Sequence, residues 1–347
     1  MKASGLRGRG GAYFPIALKW ESVLARPGPR YLVVNAEEGE PGAFKDRHLM
    51  EGNPHLVLEG IAIAAHAIEA EQVFLYVNGQ AALSFERMAR AVAEFSPGDY
   101  LGVDLPLRIE IYRGAGGYVC GEESVILNSI EGERAVPRPR PPLPTEAGLF
   151  GRPTVISNVE TLCNLPFIVT EGAEAFRSAG TEEYPGTKLV SLSGAVQRPG
   201  LSEVPLGVTT RALLEMGGGL EPGRSLRAVV MGGPSGGFLP PEMLDLPLVG
   251  GLIHPTGAVL GSGGVVVIDD RMPLSLALRE LTAYNATESC GKCTPCREGS
   301  ARALEILDRA GESGSLDAGE REQILEICDL MQYASLCGLG QMAPGPI

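Results

Sequence analysis

The chain has 347 residues, enough for two or three domains with a sizeable core. Hydrophobic residues make up 44% and charged residues 20%, the balance of a globular chain rather than a disordered one. A net charge of −13 argues against nucleic acid or an anionic membrane surface as the main partner.

No apolar run reaches the ~20 residues needed to cross a bilayer, so direct membrane insertion is not expected. Val57–Ala67 comes nearest and is interrupted by Glu59 and His66. Seven cysteines without an export signal fit a reducing cytoplasm.

The first cluster of interest is Gly5-Leu-Arg-Gly-Arg-Gly-Gly11. Backbone without Cβ atoms can turn tightly and bring N–H groups to a phosphate, with Arg7, Arg9 and Lys19 adding charge. Such a stretch is equally an ordinary flexible loop.

Tyr31–Asn35 reads as a buried strand, followed by the acidic turn Ala36–Gly42. His55–Glu69, after the breaker Pro54, has helical length and spacing, as does Ser84–Phe95. Val73–Val77 and Leu107–Tyr112 read as further strands. This alternation predicts a parallel sheet covered by helices, with ligands beyond the carboxyl ends of the strands. Asn35, Asn78 and Arg113 stand at those ends. The turns that follow carry Glu37, Glu38 and Glu40, and then Gly114–Glu123. Their carboxylates also suit a solvated face or helix N-termini.

After Pro185 the pattern changes. Thr187–Gly200 reads as hairpin strands, Thr209–Met216 as a short helix and Ala228–Met231 as another strand, an order that fits a small β-grasp module. The run Gly232–Gly237 lacks a following helix of anion-binding character, which argues against a second phosphate site. From Pro273 onward the chain reads as helical: Leu274–Tyr284, Arg297–Ala310 after Thr294-Pro295, and Ala318–Tyr333. The expected division is 1–184, 185–271 and 272–347.

Cys290, Cys293 and Cys296 recur at spacing three, and Cys337 follows the last long helix. Three close thiolates and a distant fourth suit a [4Fe–4S] cluster. Zinc, a redox Cys-x-x-Cys and a disulfide framework are the alternatives; each uses this pattern less completely. Cys120, Cys163 and Cys328 lie in apolar surroundings and read as inert, buried thiols.

Five blocks carry a family resemblance: Gly5–Lys19, Asn35–Arg47, Arg113–Glu123, Gly148–Leu162 and Ser289–Arg297. In this order they resemble the flavin subunit of complex I and the diaphorase subunits of NAD-dependent formate dehydrogenases and NAD-reducing hydrogenases. The resemblance implies an α/β fold: a Rossmann-like FMN-binding domain, a ubiquitin-like β-grasp domain and a C-terminal helical bundle carrying the cluster. It implies FMN, a [4Fe–4S] cluster and NAD(H) as cofactors. Hydride exchange between NADH and FMN and single-electron exchange with the cluster would follow, with no side chain acting as a covalent catalyst.

Residue by residue, the resemblance places Gly8, Arg9, Gly10, Gly11 and Lys19 around the FMN phosphate. It places Asn35, Glu37, Glu38, Tyr118, Gly121, Glu122 and Asn158 along the flavin ring and ribityl chain. Phe14 and Glu40 match nucleotide contacts, and Glu123 matches a carboxylate opposing the extra phosphate of NADPH. Cys290, Cys293, Cys296 and Cys337 match the cluster ligands. The implied partners are a thioredoxin-like [2Fe–2S] subunit and a larger catalytic redox subunit, such as a formate dehydrogenase or hydrogenase.

Three positions depart from the family pattern. Tyr13 replaces a usual Gly, so a bulky ring is expected in the loop beside Phe14. Arg140 and Leu143 replace a usual Lys and Phe at the nucleotide's seat, where Leu cannot stack as an aromatic does. These departures leave open a cluster-bearing wiring subunit that no longer uses nicotinamide nucleotide.

Overall fold

A computed structural model of the chain describes residues 1–95, 107–250 and 256–347. They divide into two compact units, the first comprising Met1–Gly39, Phe44–Leu189 and Glu203–Gly207, the second Glu40–Ala43, Val190–Ser202 and Val208–Ile347.

The first unit begins with helix α1 (Ile16–Leu24), then β1 (Arg30–Ala36), α2 (Lys45–Gly52), α3 (Pro54–Ala67), β2 (Ala70–Val77) and α4 (Ala82–Glu94). It continues with β3 (Arg108–Arg113), α5 (Glu123–Ile130), β4 (Thr154–Asn158), α6 (Val159–Cys163) and α7 (Leu165–Arg177). The strands form a parallel sheet in the order β3-β2-β1-β4.

Residues along β1 and β2 alternate between two cores. Leu32, Val34, Val73, Leu75 and Val77 join the core under α3 and α4, while Val33, Phe74 and Tyr76 join the core with Val125, Ile126 and Leu127 of α5. Both faces are covered, which is why the strands read as unbroken apolar runs. Asn53 caps α3, its side chain accepting from the Leu56 N–H at 3.2 Å, with Pro54 in the first turn.

The second unit contains a mixed sheet in the order β6-β5-β9-β7-β8: β5 (Thr187–Gly194), β6 (Gly200–Pro205), β7 (Leu226–Met231), β8 (Gly237–Leu239) and β9 (Gly264–Asp269). Its first and last long strands, β5 and β9, are adjacent and parallel, and α8 (Thr210–Met216) lies between β6 and β7 in sequence. That is the strand arrangement expected of a β-grasp module.

The rest is helical: α9 (Leu274–Glu288), α10 (Thr294–Ser313), α11 (Ala318–Ala334) and α12 (Gly338–Met342). Ala303, Ile306, Ile324 and Cys328 form the core between α10 and α11. A Cβ on Gly299 would stand 2.6 Å from Met331 Cγ, so glycine sets how closely these helices approach. Asp317 and Glu320 cap α11 reciprocally.

Candidate functional site

In the first unit, the glycine loop is closed at its neck and anchored along its length. The Gly8 N–H donates to the Phe14 carbonyl at 2.9 Å, beside a bridge between Arg7 and Pro15. Arg9 is fully buried; its guanidinium donates to the carbonyls of Thr187 (2.9 Å), Arg7 (3.2 Å) and Pro185 (2.7 Å). Its own N–H donates to Thr161 Oγ1 at 2.8 Å. The Arg9 side chain therefore organises the loop from behind. Burial lowers its pKa, against the nearby Glu160 charge.

Gly10 packs directly on Asn158, whose Cβ would lie 2.9 Å from a Gly10 Cβ, and Gly11 has φ 131°. No side chain fits at Gly10. A cradle without Cβ atoms, with backbone free to approach closely, is what a phosphate requires. The residues present fit FMN.

Tyr13 has φ 52° and is 2% exposed. Its ring meets Tyr184 edge-on at 6.4 Å, and the Arg7 guanidinium lies 4.8 Å from the Tyr184 ring centroid. The ring points into the protein rather than into the loop beside Phe14, which corrects the expectation from sequence. Burial of a large aromatic there is what holds a non-glycine residue in left-handed backbone. Phe14 itself is 47% exposed and Leu143 49%.

Asn35 and Asn158 are cross-strand partners at the carboxyl ends of β1 and β4. Asn35 donates to the Gly121 carbonyl at 2.9 Å and accepts from the Glu37 N–H at 3.1 Å, tying the turn after β3 to the turn after β1. Asn158 donates to Asp46 Oδ2 (2.7 Å) and the Asn35 carbonyl (3.3 Å). It accepts from Lys45 Nζ (3.1 Å) and the Glu160 N–H (3.2 Å). Both ends of its amide are engaged within the protein.

Glu38 accepts from the N–H groups of Asp46 (2.9 Å) and Arg47 (3.0 Å) at the start of α2, where the residue at the N-cap, Phe44, supplies no acceptor. Burial and the Asp46 charge push the Glu38 carboxyl up, against those two hydrogen bonds. Glu37 accepts from Asn78 Nδ2, which brings in the end of β2. Tyr118 and Gly121 bound a 3-10 turn, and a Cβ on Gly121 would lie 3.6 Å from the Glu37 carbonyl oxygen.

Glu122 caps α5, accepting from the N–H groups of Ser124 (2.9 Å) and Val125 (3.0 Å), and also pairs with Arg140. Glu123 pairs with Lys19 at 2.5 Å and lies 3.5 Å from Arg140. Lys19 also donates to the Ile156 carbonyl at 3.2 Å. Two carboxylates thus face two cations.

Behind these turns lies a buried charge network that sequence reasoning did not find. Lys45 contacts Asp46 (2.7 Å) and Glu160 (3.1 Å), and Lys188 contacts Glu160 at 2.5 Å. Glu160 also accepts from the Leu189 N–H at 2.8 Å. Burial lowers the Lys188 pKa to about 8. Lys45 is raised despite burial, because Asp46, Glu160 and Glu38 surround it. Lys45, Asp46 and Glu160 fall inside blocks that resemble the family, whereas nothing local marks Lys188.

In the second unit, Glu40 lies among glycines: a Cβ on Gly233 would come 2.6 Å from its Cγ, and one on Gly264 3.1 Å from its Oε1. Among the cysteines, Cys296 is buried and Cys290, Cys293 and Cys337 are partly exposed. Cys293 is the N-cap of α10 and Cys337 that of α12.

Burial pushes the Cys296 thiol up, the contact with Ser289 Oγ at 3.3 Å pulls it down, and Cys293 and Cys290 push it up again. Cys290 and Cys293 therefore both lie within electrostatic reach of Cys296. A Cβ on Gly340 would stand 2.8 Å from the Cys296 Cβ, so glycine lets the Cys337 segment close on Cys296. Among the described residues, no three His, Cys, Asp or Glu side chains converge as for a single metal ion. A cuboidal cluster interposes its own iron and sulfide, so its thiolates stand farther apart than ligands of one ion. The donor set and the Gly340 contact fit such a cluster.

Two family models match the chain: the Nuo51 FMN-binding domain over residues 1–167 and the NADH-ubiquinone oxidoreductase-F iron-sulfur binding region over 276–347. The F 2 subunit of NADH-quinone oxidoreductase from Rhizobium meliloti (strain 1021) is 44% identical over 99% of this chain and 83% of its own length. The chain belongs to the NADH-quinone oxidoreductase-F family.

Another relative in this family, NADP-reducing hydrogenase subunit HndC of Solidesulfovibrio fructosivorans, is 39% identical over 100% of this chain and 72% of its own length. The crystal structure of an NAD+-reducing [NiFe]-hydrogenase in the H2-reduced state superposes with a TM-score of 0.90 at 37% identity. That match covers 99% of this chain and 59% of the hydrogenase chain. The FMN-binding match covers the glycine loop and all the turns described in the first unit, and the iron–sulfur match covers all four cysteines.

Proposed function

We propose that the chain is an NADH dehydrogenase (diaphorase) subunit that exchanges electrons with a partner redox subunit. The observation that carries this reading is the Gly8–Gly11 loop, held open to a phosphate by Arg9 and Asn158, in a chain that also packs Gly340, three residues after Cys337, against Cys296. When bound, FMN takes up electrons as a pair and releases them singly, the step size a cluster accepts.

The protein's part is binding and electrostatics. Gly10 and Gly11 present backbone to the phosphate, with Lys19 supplying charge at the edge. Asn35, Glu37 and Gly121 position the turns along the flavin, while Asn158, Glu38 and Glu122 hold those turns through the bonds they make within the protein. Phe14 and Leu143 offer exposed apolar contact to a nucleotide. Cys290, Cys293, Cys296 and Cys337 hold the [4Fe–4S] cluster.

The organisation proposed is 1–184 for flavin and nucleotide, 185–271 for the β-grasp module and 272–347 for the cluster. A thioredoxin-like [2Fe–2S] subunit and a larger formate dehydrogenase or hydrogenase are the proposed partners, in the cytoplasm. Among the described residues, no helix is long and apolar enough to cross a membrane.

Anaerobic addition of NADH to protein reconstituted with FMN, iron and sulfide tests the reading. Bleaching of the flavin followed by reduction of the cluster is expected. Flavin that is bound but stays oxidised with NADH rules out nucleotide oxidation.

A further inference from the structure

We propose that the Ser335 hydroxyl donates a hydrogen bond to a sulfur of the iron–sulfur cluster and raises its reduction potential. The proposal rests on the reading that Cys290, Cys293, Cys296 and Cys337 hold that cluster.

Ser335 follows the last residue of α11 and is buried. Its N–H donates to the Met331 carbonyl at 3.1 Å, and its carbonyl accepts from Gln341 Nε2 at 3.0 Å. Its hydroxyl oxygen is inaccessible to solvent and has no hydrogen-bond partner among the described residues. A buried hydroxyl in this state is unfavourable unless a partner is supplied.

Other buried hydroxyls of this unit take the usual local partner. Ser300 and Thr282 donate back to the carbonyls of Cys296 (2.7 Å) and Leu278 (2.9 Å) within their helices. Ser335 Oγ makes no such bond, and the Met331 carbonyl one turn back accepts from the Ser335 N–H instead.

What does lie beside it is Cys296. The point where a Gly340 Cβ would stand is 2.5 Å from Ser335 Oγ and 2.8 Å from Cys296 Cβ. Ser335 and Cys296 thus face each other across the space that glycine leaves. Cys337, two residues on, begins α12. A second hydroxyl, Ser289 Oγ, already touches Cys296 Sγ at 3.3 Å. The cluster's sulfurs are the acceptors this arrangement provides.

The direction of the effect follows from charge. Four thiolates make the cluster anionic, and reduction adds one more negative charge. A donated hydrogen bond stabilises the more negative state, so it raises the potential.

The test uses the full chain with its cluster reconstituted, comparing wild type, Ser335→Ala and Ser335→Thr. Iron and sulfide content and an EPR-monitored redox titration are the readouts. Full iron with a more negative midpoint in Ser335→Ala, and a midpoint near wild type in Ser335→Thr, is the expected result. An unmoved midpoint in an iron-replete Ser335→Ala overturns the proposal. Should that variant fail to assemble a cluster, Ser335→Cys offers a weaker donor in similar volume. Its midpoint is expected to fall, and an unchanged one overturns the proposal. Wild-type protein that takes up no iron under reconstitution overturns the cluster reading instead, and is distinguished by that alone.

Discussion

Tyr13 shows how one side chain can reverse a local preference. Left-handed backbone is disfavoured for a non-glycine residue by about 1–2 kcal/mol, and glycine would adopt the φ of 52° without strain. Burial against Tyr184 outweighs that penalty, because removing a buried aromatic side chain typically costs about 3–5 kcal/mol. Tyr13→Gly is therefore expected to lower stability by about 1–4 kcal/mol net, measured by denaturant unfolding, whereas Tyr13→Phe should stay near wild type. An unfolding midpoint for Tyr13→Gly above that of wild type would mean that the strain, not the burial, dominates. Lys188 carries a second prediction at this scale. Burial lowers its folded pKa to about 8 from 10.5. Between these values the unfolded chain holds one more proton than the folded chain, so stability from this group rises with pH over that window. Below it both states are charged and the slope vanishes. Lys188→Met should remove the rise, visible as a smaller change in Tm between about pH 7.5 and 9.5 than in wild type. The chemistry of Lys188 was not legible in the sequence, because a lone lysine in a strand pattern looks solvated until Glu160 arrives from 28 positions away.

At the scale of elements, strands and long helices were readable because burial leaves a periodic trace. Val73–Val77 reads as a strand and proves to be the buried part of β2, which begins at Ala70. The helix expected over Arg297–Ala310 extends to Thr294–Ser313, since its caps lie in the Cys293 turn and at Gly314. Close approaches between elements left a weaker trace. A Cβ on Gly60 would stand 2.2 Å from the Leu162 carbonyl oxygen, where α3 meets α6, and backbone cannot rotate aside. Gly60→Ala should cost about 2–4 kcal/mol. Gly299→Ala meets only the rotatable Met331 side chain and should cost about 1 kcal/mol. Parallel denaturation curves of the two variants check the ranking, and equal losses would show that α3 and α6 separate as easily as Met331 turns.

At the scale of the whole molecule, the nucleotide selectivity proposed for Glu123 involves groups far apart in sequence. Glu123 was expected to repel the extra phosphate of NADPH, yet Lys19 and Arg140 neutralise much of its charge. These pairs are partly exposed, so the remaining discrimination is modest. Glu123→Gln should raise kcat/KM for NADPH relative to NADH by about two- to tenfold. Steady-state kinetics with both nucleotides checks this, and an unchanged ratio removes Glu123 from the selectivity argument. The family and the cofactor set were legible in the linear chain, because glycine and cysteine spacing is itself the chemical requirement: phosphate needs bare backbone, and a cluster needs close thiolates. Local periodicity likewise determined the α/β order, since each face must bury its own residues. Only the tertiary structure decided which polar groups remain for a ligand. Arg9, Glu38 and Asn158, expected at the flavin, are held by protein groups that folding brings to them. Tyr13 reads as an intruder but turns inward, and Ser335, unremarkable in sequence, is left beside Cys296 with its hydroxyl unmatched. Hydrogen bonds are short and directional, so which partner a side chain takes depends on where distant segments meet, and spacing along the chain carries no record of that.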